Sequence, residues 1–320
     1  MASAVGALKV FDAAAVREGL DPDALRLAVR EAMVALSDGR VRQNLRSFIS
    51  RGEGRTFAIM PAALGERAAF GAKLVSVFTD EAGHKRHEGL VVLFDGETGV
   101  PVCVADAGEI TALRTPAASA AATDALARPD AESLAVLGLG RQAMGHIAAI
   151  SRIRPLKTVR VWGREYDRAE AFADQARRET GLAVEAVARA SACVADAAIV
   201  CTVTAATDPV LMGAWLAPGA HLNLVGSSGP GQAEADSDVV TRGRFIVDHR
   251  EHVLVHGGEF LRAKAAGVAD DSVIACEIGE VFAGAAAGRT AADQITIYKS
   301  LGHAVQDLAA AARLYEGANG

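Results

Sequence analysis

A short turn between an apolar strand and a helix is the feature that most constrains how this chain can fold. The apolar run leads into Gly138, Gly140 and Ala143, spaced as G-x-G-x-x-A, and a helical pattern follows. Gly138 allows a tight turn, Gly140 lets a ligand approach the backbone, and Ala143 lets the helix pack closely on its strand. The new helix begins near Arg141 and Gln142, and its amino end favours negative charge. This arrangement predicts a site for the pyrophosphate of a dinucleotide.

Strands and helices alternate from the turn onward. The predicted strands after it are Thr158–Trp162, Ala197–Thr202, His221–Val225 and Phe245–Asp248. A predicted helix, Asp167–Thr180, connects the first two of them. Such alternation is typical of an α/β fold with a doubly wound parallel sheet, the Rossmann architecture.

The first third of the chain has a different pattern. A helix is predicted over Pro22–Leu36, and four strands over Thr56–Met60, Lys73–Phe78, Gly89–Phe94 and Val100–Ala105. The last two strands flank DGETG and predict a hairpin, so this region is expected to be an α+β domain with an antiparallel or mixed sheet.

Apolar residues recur at helical spacing over 291–314, near the end of the chain. This pattern predicts one long amphipathic helix there. If that helix returns to the first domain, residues 1–118 and 296–320 form an α+β domain and residues 119–295 form the dinucleotide-binding domain.

The end of the second Rossmann strand bears on which dinucleotide is bound. An NAD site normally carries an acidic residue there for the ribose hydroxyls, whereas this chain has Gly163 followed by Arg164. Arg164 can pair with a 2′-phosphate, so NADP(H) is favoured. Glu165 keeps NAD(H) open, since it serves the ribose if the register shifts. Thr204, just after the next strand, is expected to line the nicotinamide side, and Thr202, at the end of that strand, is a further predicted cofactor-binding residue.

Composition excludes several classes of protein. The net charge of −6 gives no basic surplus for binding nucleic acid. No apolar run is long enough to span a membrane, and no signal-peptide pattern begins the chain, so a cytoplasmic location is expected. The four cysteines lie far apart and predict free thiols rather than disulfides or a zinc site. No metal site is expected.

Several segments together resemble the ornithine cyclodeaminase/μ-crystallin family. They are MPA (60–62), GAKLVSV (71–77), EITALRTPAASA (109–120), GLGRQA (138–143), PGAHLNLVGSSGPG (218–231) and YKSLGHAVQD (298–307). The similarity extends in order over nearly the whole chain. It implies a Rossmann domain inserted in a substrate-binding and dimerisation domain, and a homodimer. It also implies activity as a cyclodeaminase, an amino-acid dehydrogenase or a reductase of cyclic ketimines.

The resemblance also implies roles for individual residues. Arg46, Lys73 and Arg114 match the basic residues of the family's substrate pocket, and Met60 matches a residue of the pocket wall. An arginine suits the α-carboxylate of such substrates because its planar fork pairs with both oxygens. Lys73 lies in an otherwise apolar strand, where a lysine is costly unless it meets an anion. The remaining cofactor positions in the matching segments are Thr115, Val225 and Ser227.

One position departs from the cyclodeaminase pattern. Ser228 stands where the family's cyclodeaminases carry a catalytic aspartate, and a serine cannot supply a carboxylate base. The departure favours an NAD(P)H-dependent reductase of a small cyclic imino acid, of the 1-pyrroline-2-carboxylate or 1-piperideine-2-carboxylate type. Lys73 and Ser228 are then the expected catalytic residues, with Lys73 assisting protonation and Ser228 binding the imine nitrogen or a water.

Three alternatives stay open at this level. An L-amino-acid dehydrogenase of the alanine type would use almost the same residues. An ornithine cyclodeaminase is disfavoured by Ser228. A crystallin-like protein that binds the dinucleotide without turnover is the third, and retention of Lys73, Arg46 and Arg114 argues against it.

Overall fold

The computed structural model describes residues 8–52, 55–79 and 85–319. The chain divides into two compact units, of which the first runs to Ala117 and resumes at His303, and the second is Ala118–Gly302. The helices are α1 (Ala13–Gly19), α2 (Pro22–Ser37), α3 (Ala107–Leu126), α4 (Arg141–Ser151), α5 (Tyr166–Thr180), α6 (Ala190–Val194), α7 (Ser237–Arg242), α8 (Arg250–His256), α9 (Gly258–Ala265), α10 (Ile278–Phe282) and α11 (Ala304–Gly317). Among the helices described, none has the length and apolar character needed to cross a membrane.

The first unit contains a seven-stranded mixed sheet. Its strands are β1 (Lys9–Phe11), β2 (Arg42–Gln43), β3 (Ser47–Ser50), β4 (Arg55–Ala63), β5 (Phe70–Thr79), β6 (Lys85–Phe94) and β7 (Pro101–Asp106). They run in the order β1-β7-β6-β5-β4-β2, with β3 also paired to β4. Only the pairing of β1 with β7 is parallel in this sheet as described. The mixed sheet and the predicted hairpin of β6 and β7 are confirmed.

One face of this sheet packs on α11. Ala58, Met60, Lys73 and Val91 are buried and share a face by register. Helix α2 packs on α11 in turn, through an apolar stripe that includes Val29 and Met33. The α2 helix begins as predicted, because the Asp21 side chain accepts hydrogen bonds from the first-turn N–H groups.

The other face of the same sheet is apolar and more exposed. Ile59, Leu74 and Leu90 lie side by side across β4, β5 and β6. Phe70 and Phe94 stack at a ring-centroid distance of 5.2 Å. Leu90 remains 48% exposed. This outer sheet face, defined by these five residues, is a candidate surface for association.

The second unit contains an eight-stranded sheet in which every described pairing is parallel. Its strands are β8 (Ser133–Leu137), β9 (Thr158–Trp162), β10 (Val184–Ala186), β11 (Ile199–Thr202), β12 (His221–Leu224), β13 (Arg244–Val247), β14 (Ile274–Glu277) and β15 (Thr296–Lys299). The order is β10-β9-β8-β11-β12-β15-β13-β14. Alternate residues of β8 enter separate hydrophobic clusters, so both sheet faces are covered. The predicted Rossmann fold is confirmed.

The prediction of a single helix over 291–314 is wrong. Residues Thr296–Lys299 form β15, which pairs with β12 and β13 in the interior of the second sheet, and the helix begins only at Ala304. A short apolar run fits either a buried strand or a helix, and Gly302, at φ +77°, separates the two elements. Because β15 belongs to the second sheet, the chain returns to the first unit at His303 rather than at residue 296.

Candidate functional site

A crevice of about 450 Å³ opens in the second unit beside the predicted phosphate-binding turn. It lies where β8, β9 and β11 end, the edge at which open parallel sheets bind ligands. Five predicted cofactor residues line it, namely Gly138, Gly140, Gly163, Arg164 and Thr204. Leu139, Trp162, Glu165, Arg168, Val203, Ala205, Ala206, Thr207 and Val210 complete the lining.

The glycine turn has the geometry that a dinucleotide requires. Gly138 has φ +130°, and a Cβ atom there would lie 2.8 Å from the carbonyl oxygen of Val203. Gly140 caps α4 without a side-chain hydrogen bond, and a Cβ atom there would meet nothing within 4 Å. Gly138 is therefore required by packing, whereas Gly140 leaves open space where a phosphate can approach the backbone. The turn fits a dinucleotide pyrophosphate.

The other three predicted residues at the turn differ in their exposure to solvent. Arg141 is exposed and Gln142 is half-buried in the first turn of α4. Ala143 is fully buried in the hydrophobic core, so it serves the close packing of helix on strand.

At the end of β9, a side chain on Gly163 would collide with the side chain of Leu139 unless that leucine moved. A Cβ atom on Gly163 would lie 2.2 Å from Cδ1 of Leu139 and 2.6 Å from its Cγ. Leu139 therefore fills the place where an aspartate or glutamate would begin. Arg164 and Glu165 are exposed in the crevice beside Arg168, whose Nη1 lies 3.5 Å from Oε1 of Glu165. Sequence reasoning missed Arg168, although its spacing of four from Arg164 places both near the start of one helix.

Thr204 and Thr202 are both bound to a glutamate that sequence reasoning missed. Thr204 donates to Oε1 of Glu234 from its backbone N–H at 2.5 Å and from its hydroxyl at 2.7 Å. Thr202 is fully buried and donates its hydroxyl to Oε2 at 2.8 Å. The Thr202 hydroxyl is directed into the protein and the residue does not line the crevice, and its predicted cofactor role stays a prediction.

Ser227 belongs to the same buried region. Nζ of Lys299 donates to the Ser227 carbonyl at 2.7 Å and to its hydroxyl at 2.6 Å, and it lies 2.9 Å from Oε2 of Glu259. The Ser227 hydroxyl donates in turn to Glu259. We call Glu234, Glu259, Lys299 and Ser227 the carboxylate network. The Ser227 side chain is fully buried, and the predicted cofactor role of this residue stays a prediction.

Two further residues follow β12 near this network. Val225 is half-buried, and its N–H donates to the carbonyl of Thr202 at 3.1 Å. Ser228 is half-buried and directly follows Ser227. Their predicted roles toward cofactor and substrate stay predictions.

The two glutamates of the carboxylate network titrate differently. Burial raises the pKa of Glu234 above its ordinary range, against the hydrogen bonds from Thr204 and Thr202. Burial also acts to raise the pKa of Glu259, but the charge of Lys299 and the bond from Ser227 outweigh it, so the pKa is lowered. The direct ion pair with Lys299 accounts for the difference.

In the first unit, two of the predicted substrate-binding residues meet at one carboxylate. Lys73 on β5 and Arg114 on α3 each lie 3.0 Å from Oδ1 of Asp307, through Nζ and Nε respectively. Arg114 also donates from Nη1 to Oε1 of Gln306 at 2.8 Å, and Lys73 donates to the hydroxyl of Thr111. Asp307 ends the segment YKSLGHAVQD, so its position was visible in the sequence but its role was missed.

Arg46 and Met60 lie in the same region. The charge of half-buried Arg46 contributes to lowering the pKa of Lys73, so the two cations are close enough to interact. Met60 is buried and is the direct cross-strand partner of Lys73. We call Lys73, Arg46, Arg114 and Asp307 the cationic cluster. Thr115 is buried next to Arg114 on α3, and its cofactor role stays a prediction.

Within the described parts of the chain, the two buried cations Lys73 and Arg114 share the one carboxylate of Asp307, so their positive charge exceeds its negative charge. Burial lowers the pKa of Lys73, which Asp307 opposes and Arg114 reinforces. Burial acts to raise the pKa of Asp307, but Arg114 and Lys73 outweigh it, so the pKa lies below the ordinary aspartate range. A low-pKa carboxylate held by two cations is a weak base, and a small organic anion would complete the balance of charge.

Comparisons with known proteins agree with this architecture. The mouse protein named ketimine reductase mu-crystallin is 36% identical over 285 residues, which cover 87% of this chain and 86% of that protein. The structure of the Thermococcus litoralis Δ1-pyrroline-2-carboxylate reductase in complex with NADH and L-proline matches with a TM-score of 0.92 and 29% identity, over 97% of each chain. An archaeal alanine dehydrogenase dimer with bound NAD matches with a TM-score of 0.91 and 29% identity, over 98% of this chain and 96% of that one.

The family comparison covers almost the entire sequence. The family model described as ornithine cyclodeaminase/mu-crystallin matches residues 9–320. Both units are included, so the resemblance is not confined to the Rossmann fold. This chain belongs to the ornithine cyclodeaminase/mu-crystallin family.

Proposed function

We propose that this protein is an NAD(P)H-dependent reductase of a small cyclic imino acid such as 1-pyrroline-2-carboxylate. The observation that carries the proposal is the cationic cluster, where two buried cations, Lys73 and Arg114, share one carboxylate oxygen of Asp307 among the residues that the structure describes. A buried surplus of positive charge suits an organic carboxylate. The names of the mouse and T. litoralis relatives support the imine as the reacting group.

The cofactor supplies a hydride, which would reach the carbon of the C=N bond. Gly138 and Gly140 would leave room for its pyrophosphate, and the amino end of α4 would favour its negative charge. Thr204 in the wall after β11 and Val225 after β12 would border the nicotinamide side.

The dinucleotide we propose is NADP(H). Gly163 carries no charge, Leu139 fills the place where an acidic side chain would begin, and Arg164 and Arg168 supply positive charge in the same crevice. Such a pair suits a 2′-phosphate better than a ribose hydroxyl. Glu165 is partly neutralised by Arg168 at 3.5 Å and so is a weak competitor for the ribose. NAD(H) use, as in the two structural relatives, is the alternative.

Three of the four substrate roles fall to residues of the first unit. Arg114 and Arg46 would bind the carboxylate, with Asp307 and Gln306 fixing the plane of the Arg114 guanidinium. Lys73 would hold a proton near the imine nitrogen, because its lowered pKa makes that proton easier to release. Ser228 would donate a hydrogen bond to the nitrogen or to a water.

Two observations weigh against cyclodeamination of ornithine. Ser228 carries no carboxylate, and Asp307 is held by Lys73 and Arg114 with a lowered pKa. Neither group suits the removal of a proton from a substrate amine. Imine reduction has no such requirement, since the substrate must gain a proton rather than lose one.

The second candidate is an L-amino-acid dehydrogenase of the alanine type. The likeness to the archaeal alanine dehydrogenase favours it, and the cationic cluster would bind its carboxylate equally well. A substrate panel separates the two candidates. We expect NADPH oxidation with 1-pyrroline-2-carboxylate or 1-piperideine-2-carboxylate, and slower NADP⁺ reduction with L-alanine. Ornithine is the control for cyclodeamination, and dinucleotide binding without turnover of any of these compounds would favour the crystallin-like alternative.

We also propose a homodimer formed through the outer sheet face. The aligned Ile59, Leu74 and Leu90 and the stacked Phe70 and Phe94 form an apolar surface on β4 to β6. Leu90→Asp should shift the mass measured by light scattering toward the monomer. Leu27→Asp, at an equally exposed leucine on α2, is the matched control and should leave the mass unchanged. A monomeric wild-type protein would contradict the proposal.

A cytoplasmic setting is proposed from the thiols. Cys103, Cys193, Cys201 and Cys276 are all free and buried. Burial raises the pKa of Cys103 to about 11 and helps raise that of Cys201 to about 12, so these thiols are unreactive. Unpaired cysteines of this kind are typical of reducing compartments.

A further inference from the structure

We infer that Glu234 is a positioning residue, which holds the wall of the dinucleotide crevice in place without touching the ligand. It lies between β12 and α7 and is fully buried. The inference rests on the proposed binding of a dinucleotide in the crevice. It gives Glu234 a structural role in the second unit and no part in the reaction itself.

Glu234 links the ends of two neighbouring parallel strands. Oε1 accepts both hydrogen bonds of Thr204, and Oε2 accepts from the hydroxyl of Thr202 at 2.8 Å and from the N–H of Gly226 at 2.6 Å. Thr202 ends β11 and Thr204 follows it, whereas Gly226 follows β12. One carboxylate therefore binds the crevice wall at Thr204 to the turn that leads to Ser228.

The strand ends approach each other more closely than any side chain at Gly226 would allow. A Cβ atom on Gly226 would lie 2.1 Å from the carbonyl oxygen of Thr204 and 2.5 Å from Oε1 of Glu234. Only glycine fits at this point, and the carboxylate bridges the two strand ends there. Loss of a bond to Glu234 should therefore let the wall at Thr204 move.

The backbone of Glu234 extends the connection into the rest of the carboxylate network. Its N–H donates to Oε1 of Glu259 at 2.9 Å, and Glu259 is paired with Lys299 at 2.9 Å. Lys299 holds both the carbonyl and the hydroxyl of Ser227. Thr204 and the peptide before Ser228 are thus held by one continuous set of buried hydrogen bonds.

Glu234 is unsuited to direct proton transfer. Its oxygens accept four hydrogen bonds from the protein, and its side chain is closed to solvent. A carboxylate has about four lone-pair sites, so none is left for a substrate. Its effect on ligands must pass through Thr204 and Gly226.

Substitution of Thr202 tests the inference without altering the crevice surface, because Thr202 is fully buried and does not line the crevice. Thr202→Val has nearly the same shape but removes one hydrogen bond to Glu234, whereas Thr202→Ser keeps the hydroxyl. We expect Thr202→Val to raise the Kd for NADPH by about ten-fold, in line with loss of a hydrogen bond to a charged group. Thr202→Ser should restore the Kd to within about two-fold of wild type.

Binding is measured without imine, by energy transfer to NADPH from the tryptophans, of which Trp162 lines the crevice. Arg154→Met is the control for general destabilisation of the second unit. It removes a buried side chain that pairs with Asp124 outside the crevice, and it should leave the Kd unchanged.

An unchanged Kd in Thr202→Val would overturn the inference, and so would an equal loss in Thr202→Ser, because the hydroxyl would then be irrelevant. If the wild-type protein binds neither NADPH nor NADH, the proposed function fails and the inference fails with it. These outcomes are distinguishable because the wild-type measurement is made first.

Discussion

The two units each bury a lysine beside carboxylates, but the two groups differ in charge and in access. In the cationic cluster, the two buried cations Lys73 and Arg114 share the one carboxylate of Asp307. In the carboxylate network, Lys299 faces Glu259 and Ser227, and Glu234 is satisfied by four donors. The first group has a surplus of positive charge, whereas the second has excess negative charge spread over hydrogen bonds.

This difference separates a ligand site from an internal support. Buried charges are costly unless they are paired, so a surplus indicates that another charged molecule belongs there. The cationic cluster meets that condition for an organic anion. The carboxylate network leaves Lys299 and Glu234 completely buried with their hydrogen bonds made, and its effect on function must be indirect.

The largest expected effect is on stability, in the carboxylate network. Lys299→Met would leave Glu259 buried without its counter-charge, which should cost about 3–5 kcal/mol in the free energy of unfolding. Urea denaturation measures the change. Lys157→Met, at an exposed lysine paired with Glu132, is the control and should cost less than about 1 kcal/mol. If Lys299→Met also cost less than about 1 kcal/mol, the carboxylate network would not be the internal support that distinguishes it from the cationic cluster.

The next effect is on activity, in the cationic cluster. Lys73→Met should lower kcat/KM for 1-pyrroline-2-carboxylate by about 100-fold or more, because a positioned acid is lost. The Kd for NADPH should change little. Stability should also fall less than in Lys299→Met, since Arg114 still pairs with Asp307. Unchanged turnover would remove Lys73 from the mechanism.

A smaller effect is expected in the crevice. Arg164→Ala should weaken NADPH binding by about ten-fold while NADH binding stays nearly constant, because one charged hydrogen bond to the 2′-phosphate is lost. Equal losses for both dinucleotides would contradict the proposed preference.

The blocking role of Leu139 can be tested in the same assay. Gly163→Asp alone should gain little affinity for NADH, because Leu139 fills the space beside it. The double variant Leu139→Ala/Gly163→Asp should gain more affinity for NADH than the sum of the two single changes. Additive gains would show that Leu139 does not restrict this position.

The smallest expected effect is a shift in the pH profile. Burial lowers the pKa of Lys73, so kcat/KM should fall as pH rises through a value below the ordinary lysine pKa of about 10.4. Asp307 opposes this shift, and Asp307→Asn should therefore move the alkaline limb to still lower pH. An alkaline limb at the ordinary lysine value in both proteins would contradict the assignment.

Local sequence patterns were sufficient to predict most of the fold. The spacing of Gly138, Gly140 and Ala143 predicted the Rossmann turn, and strand boundaries such as Thr158–Trp162 agree with the structure. The failure at β15 has a local cause as well. Its four buried residues fit a strand or a helix by pattern alone, and only pairing with β12 and β13 decides between them.

The candidate site was predictable where a residue's role depends on its neighbours in the chain. Gly140 and Arg164 lie within three residues of the strands that precede them, and the resemblance to the family placed Lys73 and Arg114. Glu234 and Asp307 escaped prediction. The sequence separations are 30 residues between Thr204 and Glu234, and 234 residues between Lys73 and Asp307.

The chain's own order of residues thus dictates a parallel sheet with a dinucleotide turn, a glycine where an acidic residue is usual, and a serine in place of a catalytic aspartate. Tertiary structure decides which charges are neutralised. A carboxylate becomes a partner, a base or a support according to what surrounds it, and folding alone brings Asp307 to Lys73 and Glu234 to Thr204. The cost of burying charge then determines which group needs a ligand and which is already complete.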